Sequence, residues 1–451
     1  MSWQLYQILG AVVWLGFAFA FGACVGSLLN VLVYRLPRGL DVVSPPSRCP
    51  LCNTRLTWRE NVPVFGWLSL GGKCRFCRSP ISAEYPLIEA LVGLMFVALF
   101  AWWYLVPSGP SWLGVDWGWG ARPWTEAGFG RTWPMYVMMV TLLSCLLAAT
   151  LIDARTFMIP ALVVNVPTAV GVVGHTAYAA WIGHAHGGFR WFAEGWTWTI
   201  PTPGVSGWVP AGVAAGGVAG LVVSWALARL GLLKRSFADY DEWEAKALQE
   251  ARDASGDGSK DDAEALSADD SAEMWVQYPH ARREMVRELL YVGPAVVLGM
   301  LGVMLGRWLG APWSMDPLTG DLISAQALPL WAQALTGSVL GYLIGGGVVW
   351  LMRIAGSLAF GKEALGLGDV HLMAAVGACL GWIDPVVAFF VAAFVGVAVE
   401  VVRGLLFREV KRTMPYGPYL AIATVLVIVF KPWVEWGLGG LLRFGGALPL
   451  P

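Results

Sequence analysis

Six residues stand out for the chemistry they could do. Cys49-Pro-Leu-Cys52 and Cys74-Arg-Phe-Cys77 are two Cys-x-x-Cys pairs with 21 residues between them, close to the spacing of a treble-clef or ribbon-like four-cysteine zinc site. Each pair can grip one edge of a tetrahedron while the chain between them, with Trp58, Pro63, Phe65 and Trp67, folds over the metal. Four thiolates leave no open coordination position, so the expected zinc is structural, and its binding supplies folding free energy that so small a module lacks. Two redox dithiols are the competing use, ranked lower because a reducing cytoplasm needs no structural disulfides. Cys24, Cys145 and Cys379 lie alone in apolar runs and read as small buried hydrophobes.

The other two residues are Asp153, in Thr150-Leu151-Ile152-Asp153, and Asp369, in Gly366-Leu367-Gly368-Asp369. Ionisable groups at membrane depth are costly and are functional candidates for that reason. Two neighbouring carboxylates do not both ionise easily. One keeps a proton while the other, as general base, activates a water against a peptide carbonyl, which is aspartic-protease chemistry with a bell-shaped pH dependence. Gly366 and Gly368 would let the backbone come close to a substrate strand or a neighbouring helix. Taken singly, each aspartate also fits an interfacial charge or a helix cap. They are 216 positions apart (369 minus 153), so meeting depends entirely on the fold.

What must position these groups is a membrane bundle. Of 451 residues, 57% are hydrophobic and 14% charged, more apolar matter than one water-soluble core hides. Apolar stretches of about 20 residues, enough to cross a bilayer, fall near 6–33, 86–105, 133–152, 158–181, 209–232, 289–309 and 331–354. A shorter one at 369–382 and two more at 385–402 and 416–436 make about ten spans. Met1 to Phe21 lacks a basic n-region and reads as a retained helix. The expected architecture is an all-α polytopic membrane protein with a small cytosolic four-cysteine zinc-binding loop domain. Its parts are a first helix (1–34), the zinc domain (35–85), helices with the first aspartate (86–182), an inserted region with two extra spans (183–330), and helices with the Gly-x-Gly-Asp motif (331–440).

Charge sets the orientation. The loop after the first span carries Arg35, Arg38, Arg48, Arg55, Arg59, Lys73, Arg75 and Arg78 against Asp41 and Glu60, which places it in the cytoplasm. Alternation then puts Lys234/Arg235, Arg282/Arg283/Arg287, Lys362 and Arg403/Arg408/Lys411/Arg412 on that side, along with both aspartates. The loops around Trp112–Trp124 and Trp191–Trp208 suit the opposite interface. Residues 236–275 hold 13 acidic residues against Lys246, Arg252 and Lys260, with a Gly/Ser/Asp-rich middle at Asp253–Lys260, and read as a solvated linker. A net charge of -1 gives no footprint for nucleic acid, so none is expected as a partner.

Several stretches, taken in order, resemble the type IV prepilin peptidases, the prepilin leader peptidase/N-methyltransferases, membrane aspartic proteases of the GxGD type. They are Gly26-Ser27-Leu28-Leu29-Asn30 through Tyr34-Arg35-Leu36-Pro37; the two cysteine pairs with Asn61-Val62-Pro63 and Trp67-Leu68; and Ile81-Ser82-Ala83-Glu84-Tyr85-Pro86 with Glu89. Further on come Leu151-Ile152-Asp153 with Pro160, Gly361 to Val370 with Gly377 and Gly381, and Pro415-Tyr416-Gly417-Pro418-Tyr419. The resemblance implies that Asp153 and Asp369 are the catalytic pair and that Cys49, Cys52, Cys74 and Cys77 bind structural zinc. It implies substrates, the short basic leaders of type IV prepilins or type II secretion pseudopilins, cut after a glycine at the cytoplasmic face of the bacterial inner membrane. It also implies, for many members, methylation of the new N-terminus with S-adenosylmethionine, a cofactor whose contacts cannot be placed on this sequence.

Three features depart from the family pattern. His371 stands where lysine is common, Ala161 follows Pro160 where an acidic residue is frequent, and 183–330 is an insertion. Two other readings compete with the peptidase. One is a non-enzymatic membrane scaffold that uses its zinc module to hold partners. The other is a transporter with the aspartates as a proton relay, which would place them nearer the bilayer midplane.

Overall fold

The computed structural model describes residues 3–106, 128–186, 207–234, 236–240, parts of 242–249, 278–315, 322–324, 326–407 and 415–441. Arg235, Arg408, Lys411, Arg412, the Trp112–Trp124 loop, nearly all of Trp191–Trp208 and the Asp253–Lys260 linker lie outside the described residues. The described chain is helical throughout its membrane part and forms two compact units, one up to Ile152 and one from Asp153 onward.

The elements are α1 (Trp3–Arg35), α2 (Phe65–Ser69), α3 (Glu84–Tyr104), α4 (Phe129–Thr156), α5 (Ala161–His186), α6 (Trp208–Arg229), α7 (Ala281–Leu309), β1 (Trp313–Met315), β2 (Leu322–Ser324), α8 (Leu330–Phe360), α9 (Leu367–Leu380), α10 (Ile383–Phe407), α11 (Gly417–Val429) and α12 (Lys431–Leu441). Among the described residues eight helices are long and apolar enough to cross a membrane, and α9 and α11 are shorter apolar helices. This matches about ten spans in an all-α polytopic protein. Two details differ from the sequence expectation. The stretch expected as one span at 416–436 breaks at Phe430, beyond which Lys431 pairs with Asp384 at 3.1 Å. Past the end of α7, β1 and β2 form an antiparallel hairpin with Trp313 opposite Ser324.

Lipid tails are as apolar as leucine, so membrane helices associate by close packing of small residues rather than by escape from water. The first unit packs α1 on α3, where Gly22 meets the backbone of Gly93 and Gly26 that of Glu89. In the second unit, Gly212, Gly216 and Gly220 line one stripe of α6 against Gly302, Leu298 and Ala295 of α7. Gly341 of α8 and Gly377 of α9 touch backbone to backbone, and Gly171 of α5 lies against Ala378. A side chain at any of these glycines would overlap main chain. Hence α9, flanked by α5 and α8, is buried from Asp369 to Leu380 apart from His371, which explains how so short a helix is tolerated away from lipid.

Candidate active site and metal centre

In the second unit, Asp153 sits in the last turn of α4 and Asp369 in the first turn of α9, each only 6% exposed. The two carboxyl groups come within electrostatic range of one another. Gly366 caps α9 in an extended conformation, which delivers Asp369 to the end of the helix where backbone N–H groups favour a negative charge. Gly368 packs on Ile159, where an added Cβ would stand 2.9 Å from the isoleucine Cβ. His371 is exposed on α9 and Ala161 is exposed at the start of α5.

Asp153 has a partner that sequence reasoning did not find. The N–H of Gly417, the first residue of α11, donates to Asp153 Oδ2 at 3.0 Å. The opening N–H groups of a helix have no partner within it, so this carboxylate fills a vacancy that α11 must present somewhere. A Cβ on residue 417 would lie 2.7 Å from Oδ2, so glycine is what lets the helix end approach. Pro415-Tyr416-Gly417-Pro418 was visible as a motif, but 264 positions separate this donor from its acceptor. Tyr416 anchors the turn by donating to the Phe389 carbonyl at 3.2 Å.

The four cysteines lie in the first unit, with their sulfur atoms all within 4.8 Å of one another. Cys49 Sγ is 3.7 Å from Cys77 Sγ, and Cys52 Sγ is 3.9 Å from Cys74 Sγ. A tetrahedron with metal–sulfur bonds of about 2.3 Å has edges of about 3.8 Å, so the residues fit a four-thiolate metal. The two halves repeat one turn. Asn53 N–H donates to Cys49 O at 2.9 Å and Arg78 N–H to Cys74 O at 3.0 Å, while Cys49 N–H reaches Thr54 O and Cys74 N–H reaches Ser79 O. Asn53 and Arg78 both adopt positive φ, 57° and 58°, to close these turns. Hydrogen bonds from the backbone of Cys52 and Leu51 lower the Cys49 thiol to about 6, which favours the thiolate a metal needs. Ser79 lowers the Cys77 thiol in the same sense.

Between the cysteine pairs the chain is tied to α3. Glu89 accepts the N–H of Val64 at 2.7 Å, holding that residue at a φ of 63°, and Trp67 Nε1 donates to Ile81 O at 3.0 Å. Asn30 of α1 donates to Tyr85 O at 3.0 Å. Thus Gly26, Asn30, Tyr85 and Glu89, far apart in the motif order, converge in one place.

Parts of the chain are similar to known proteins. Residues 20–103 match the model of the bacterial peptidase A24 N-terminal domain. A prepilin leader peptidase/N-methyltransferase of Myxococcus xanthus is 50% identical over 96 residues, covering 20% of this chain and 29% of that protein. Proteins of the same name from Klebsiella pneumoniae (34% over 153 residues, 33% of this chain and 55% of the relative) and Neisseria gonorrhoeae (35% over 120 residues, 21% and 40%) are also similar. The chain therefore spans about half, or less, of the length of the curated relatives it matches. No solved structure matches the chain significantly. Over the matched segments the chain is thus similar to a bacterial peptidase A24 N-terminal domain and to proteins named prepilin leader peptidase/N-methyltransferase.

Proposed function

We propose that this protein is a membrane-embedded aspartic endopeptidase that removes the short leader from type IV prepilins or pseudopilins at the cytoplasmic face of the bacterial inner membrane. The observation that carries this reading is the convergence of two buried carboxyls, Asp153 and Asp369, from helix ends 216 positions apart. The relatives' names supply the substrate class.

The chemistry follows from one shared proton. The ionised carboxylate takes a proton from a water whose oxygen attacks the carbonyl carbon of the scissile bond, while the protonated partner donates to the carbonyl oxygen. The tetrahedral intermediate collapses with cleavage of the C–N bond, and the departing amine takes up the proton. Gly417 N–H, bonded to Asp153, fixes that carboxylate's orientation. Cys49, Cys52, Cys74 and Cys77 would hold a zinc ion, which would stabilise the loop domain and, with four thiolates, would leave no open position for catalysis. The relatives' shared name extends the proposal to N-methylation of the new terminus, for which S-adenosylmethionine would supply the methyl group and leave as S-adenosylhomocysteine, the amine losing a proton. Membrane lipid and the prepilin are the partners.

The test is cleavage of a prepilin-like peptide in liposomes by wild type, Asp153→Asn and Asp369→Asn, with S-adenosylmethionine present and products weighed by mass spectrometry. Cutting after the glycine by wild type alone supports the reading, and an added methyl mass supports the transferase. Folded, zinc-loaded wild type that cuts nothing overturns it.

A further inference from the structure

A buried ionic cluster in the second unit has no part in the chemistry above. Arg353, two turns before the end of α8, is 2% exposed. Its Nε and Nη2 donate to Glu288 of α7 at 3.1 Å, and its Nη1 donates to Glu363 and to the carbonyl of Leu365. Trp350 Nε1 donates to Glu288 at 2.8 Å. The Phe237 ring covers the guanidinium at 5.5 Å, and Phe237 is held by its N–H donating to the buried Glu284 at 2.8 Å.

These partners fall into two groups. Glu288, Glu284 and Phe237 belong to the extra helix pair α6–α7 and the chain that follows α6. Glu363 and Leu365 belong to the short connection between α8 and α9, which ends at Gly366 and delivers Asp369. Ala364, between them, donates its N–H to Ser357 Oγ at 2.9 Å. Three successive residues of the connection are thus pinned to α8, two of them by one guanidinium whose other edge is taken by the insertion. The Arg353 charge also reaches Asp369.

Such an arrangement is a poor source of stability, because apolar residues of similar volume would hold the helices as well without the desolvation of three charges. What a planar fork does and an apolar contact does not is fix geometry in two directions at once. A catalytic carboxylate displaced by about 1 Å loses on the order of a hundredfold in rate. We propose that Arg353 is a positioning residue for Asp369, and that the helix pair α6–α7 serves the peptidase by supplying the carboxylate of Glu288 and the ring of Phe237 that hold Arg353 in place. This rests on Asp369 being half of the catalytic pair.

The experiment uses full-length protein in liposomes with a prepilin-like peptide, comparing wild type, Arg353→Lys, Glu288→Gln and Asp369→Asn, with amide hydrogen exchange of 362–366 followed in parallel. Lysine keeps the charge but cannot bridge Glu288, Glu363 and Leu365 together. Arg353→Lys should lower kcat at least tenfold with KM within twofold, and speed exchange at 362–366 while α5 exchanges as before. Glu288→Gln keeps Arg353 paired with Glu363, and in protein shown to be folded by its thermal scan it should lower kcat about threefold or more with the same local signature. Unchanged kcat in Arg353→Lys, or a loss of kcat matched only by a lower unfolding temperature with exchange accelerated everywhere, overturns the proposal. If wild type itself cuts no better than Asp369→Asn, the peptidase reading falls and the catalytic role of the clamp falls with it. Hydrogen exchange then still decides, separately, whether Arg353 pins the connection.

Discussion

Replacing Gly417 by alanine tests the site at a single contact. The φ of Gly417 is not positive, and alanine is the better helix former, so the backbone accepts the change. The objection is local: the new methyl would lie 2.7 Å from Asp153 Oδ2 and 3.1 Å from its Cγ, so carboxylate and helix end must part. Parting breaks the 3.0 Å bond from Gly417 N–H. A hydrogen bond to a charged group contributes about 1.5–3 kcal/mol, and each 1.4 kcal/mol is tenfold in rate. Cleavage should therefore slow by about 10- to 100-fold in kcat, with KM and the unfolding temperature close to wild type. Steady-state cleavage of a prepilin-like peptide in liposomes, with a thermal scan of the same preparation, measures both. Wild-type kcat in folded Gly417→Ala would refute the claim that this bond orients Asp153, and a collapse of the unfolding temperature would show that the contact is structural.

Other expectations follow from the same geometry. Asp153→Asn or Asp369→Asn should each lower cleavage by about a thousandfold or more while zinc content stays at one per chain, read by mass spectrometry of the metal. Cys49→Ala should lose that zinc and lower the unfolding temperature, because the binding energy is folding energy; an unchanged metal content would count against the four-thiolate site. With the Cys49 thiol lowered to about 6 in the fold, its stabilising contribution is full above the ordinary thiol value near 8.5 and is lost as pH falls through about 6. Because protons and metal compete for the same thiolates, acidification should release zinc, and a metal content that does not fall on acidification, followed with a chromogenic chelator, would contradict the four-thiolate site. Gly212→Leu drives a side chain into the Gly302 backbone and should cost about 1–3 kcal/mol or more, seen as a lower unfolding temperature in detergent.

The membrane helices and the cysteine module were legible in the sequence because both are local signals. Apolar run length reports a span wherever it occurs, and Cys-x-x-Cys spacing reports a knuckle whose hydrogen bonds close within six residues. Helix ends were less legible: α7 begins at Ala281, eight residues before the apolar run, because its first turns bury Glu284 and Glu288 against arginines rather than lipid. The meeting of Asp153, Asp369 and Gly417 was out of reach, since it depends on which helices pack and no pattern along the chain encodes that. Arg353 was within reach. An arginine inside the apolar stretch 331–354 is costly there unless paired, and that signal alone marks it. What the sequence could not say is that its partners would come from both the α6–α7 pair and the Asp369 connection.

The bond from Gly417 to Asp153 also sets an order of events in the life of the chain. A ribosome adding about 5–20 residues per second needs roughly 13–53 s to traverse the 264 positions between them. Through that interval Asp153 is already in the nascent protein while the helix end that orients it does not exist. On the proposed peptidase reading, a nascent chain that has not reached Gly417 carries Asp153 without the donor that orients it, so the catalytic geometry is assembled late in synthesis rather than as each aspartate is made.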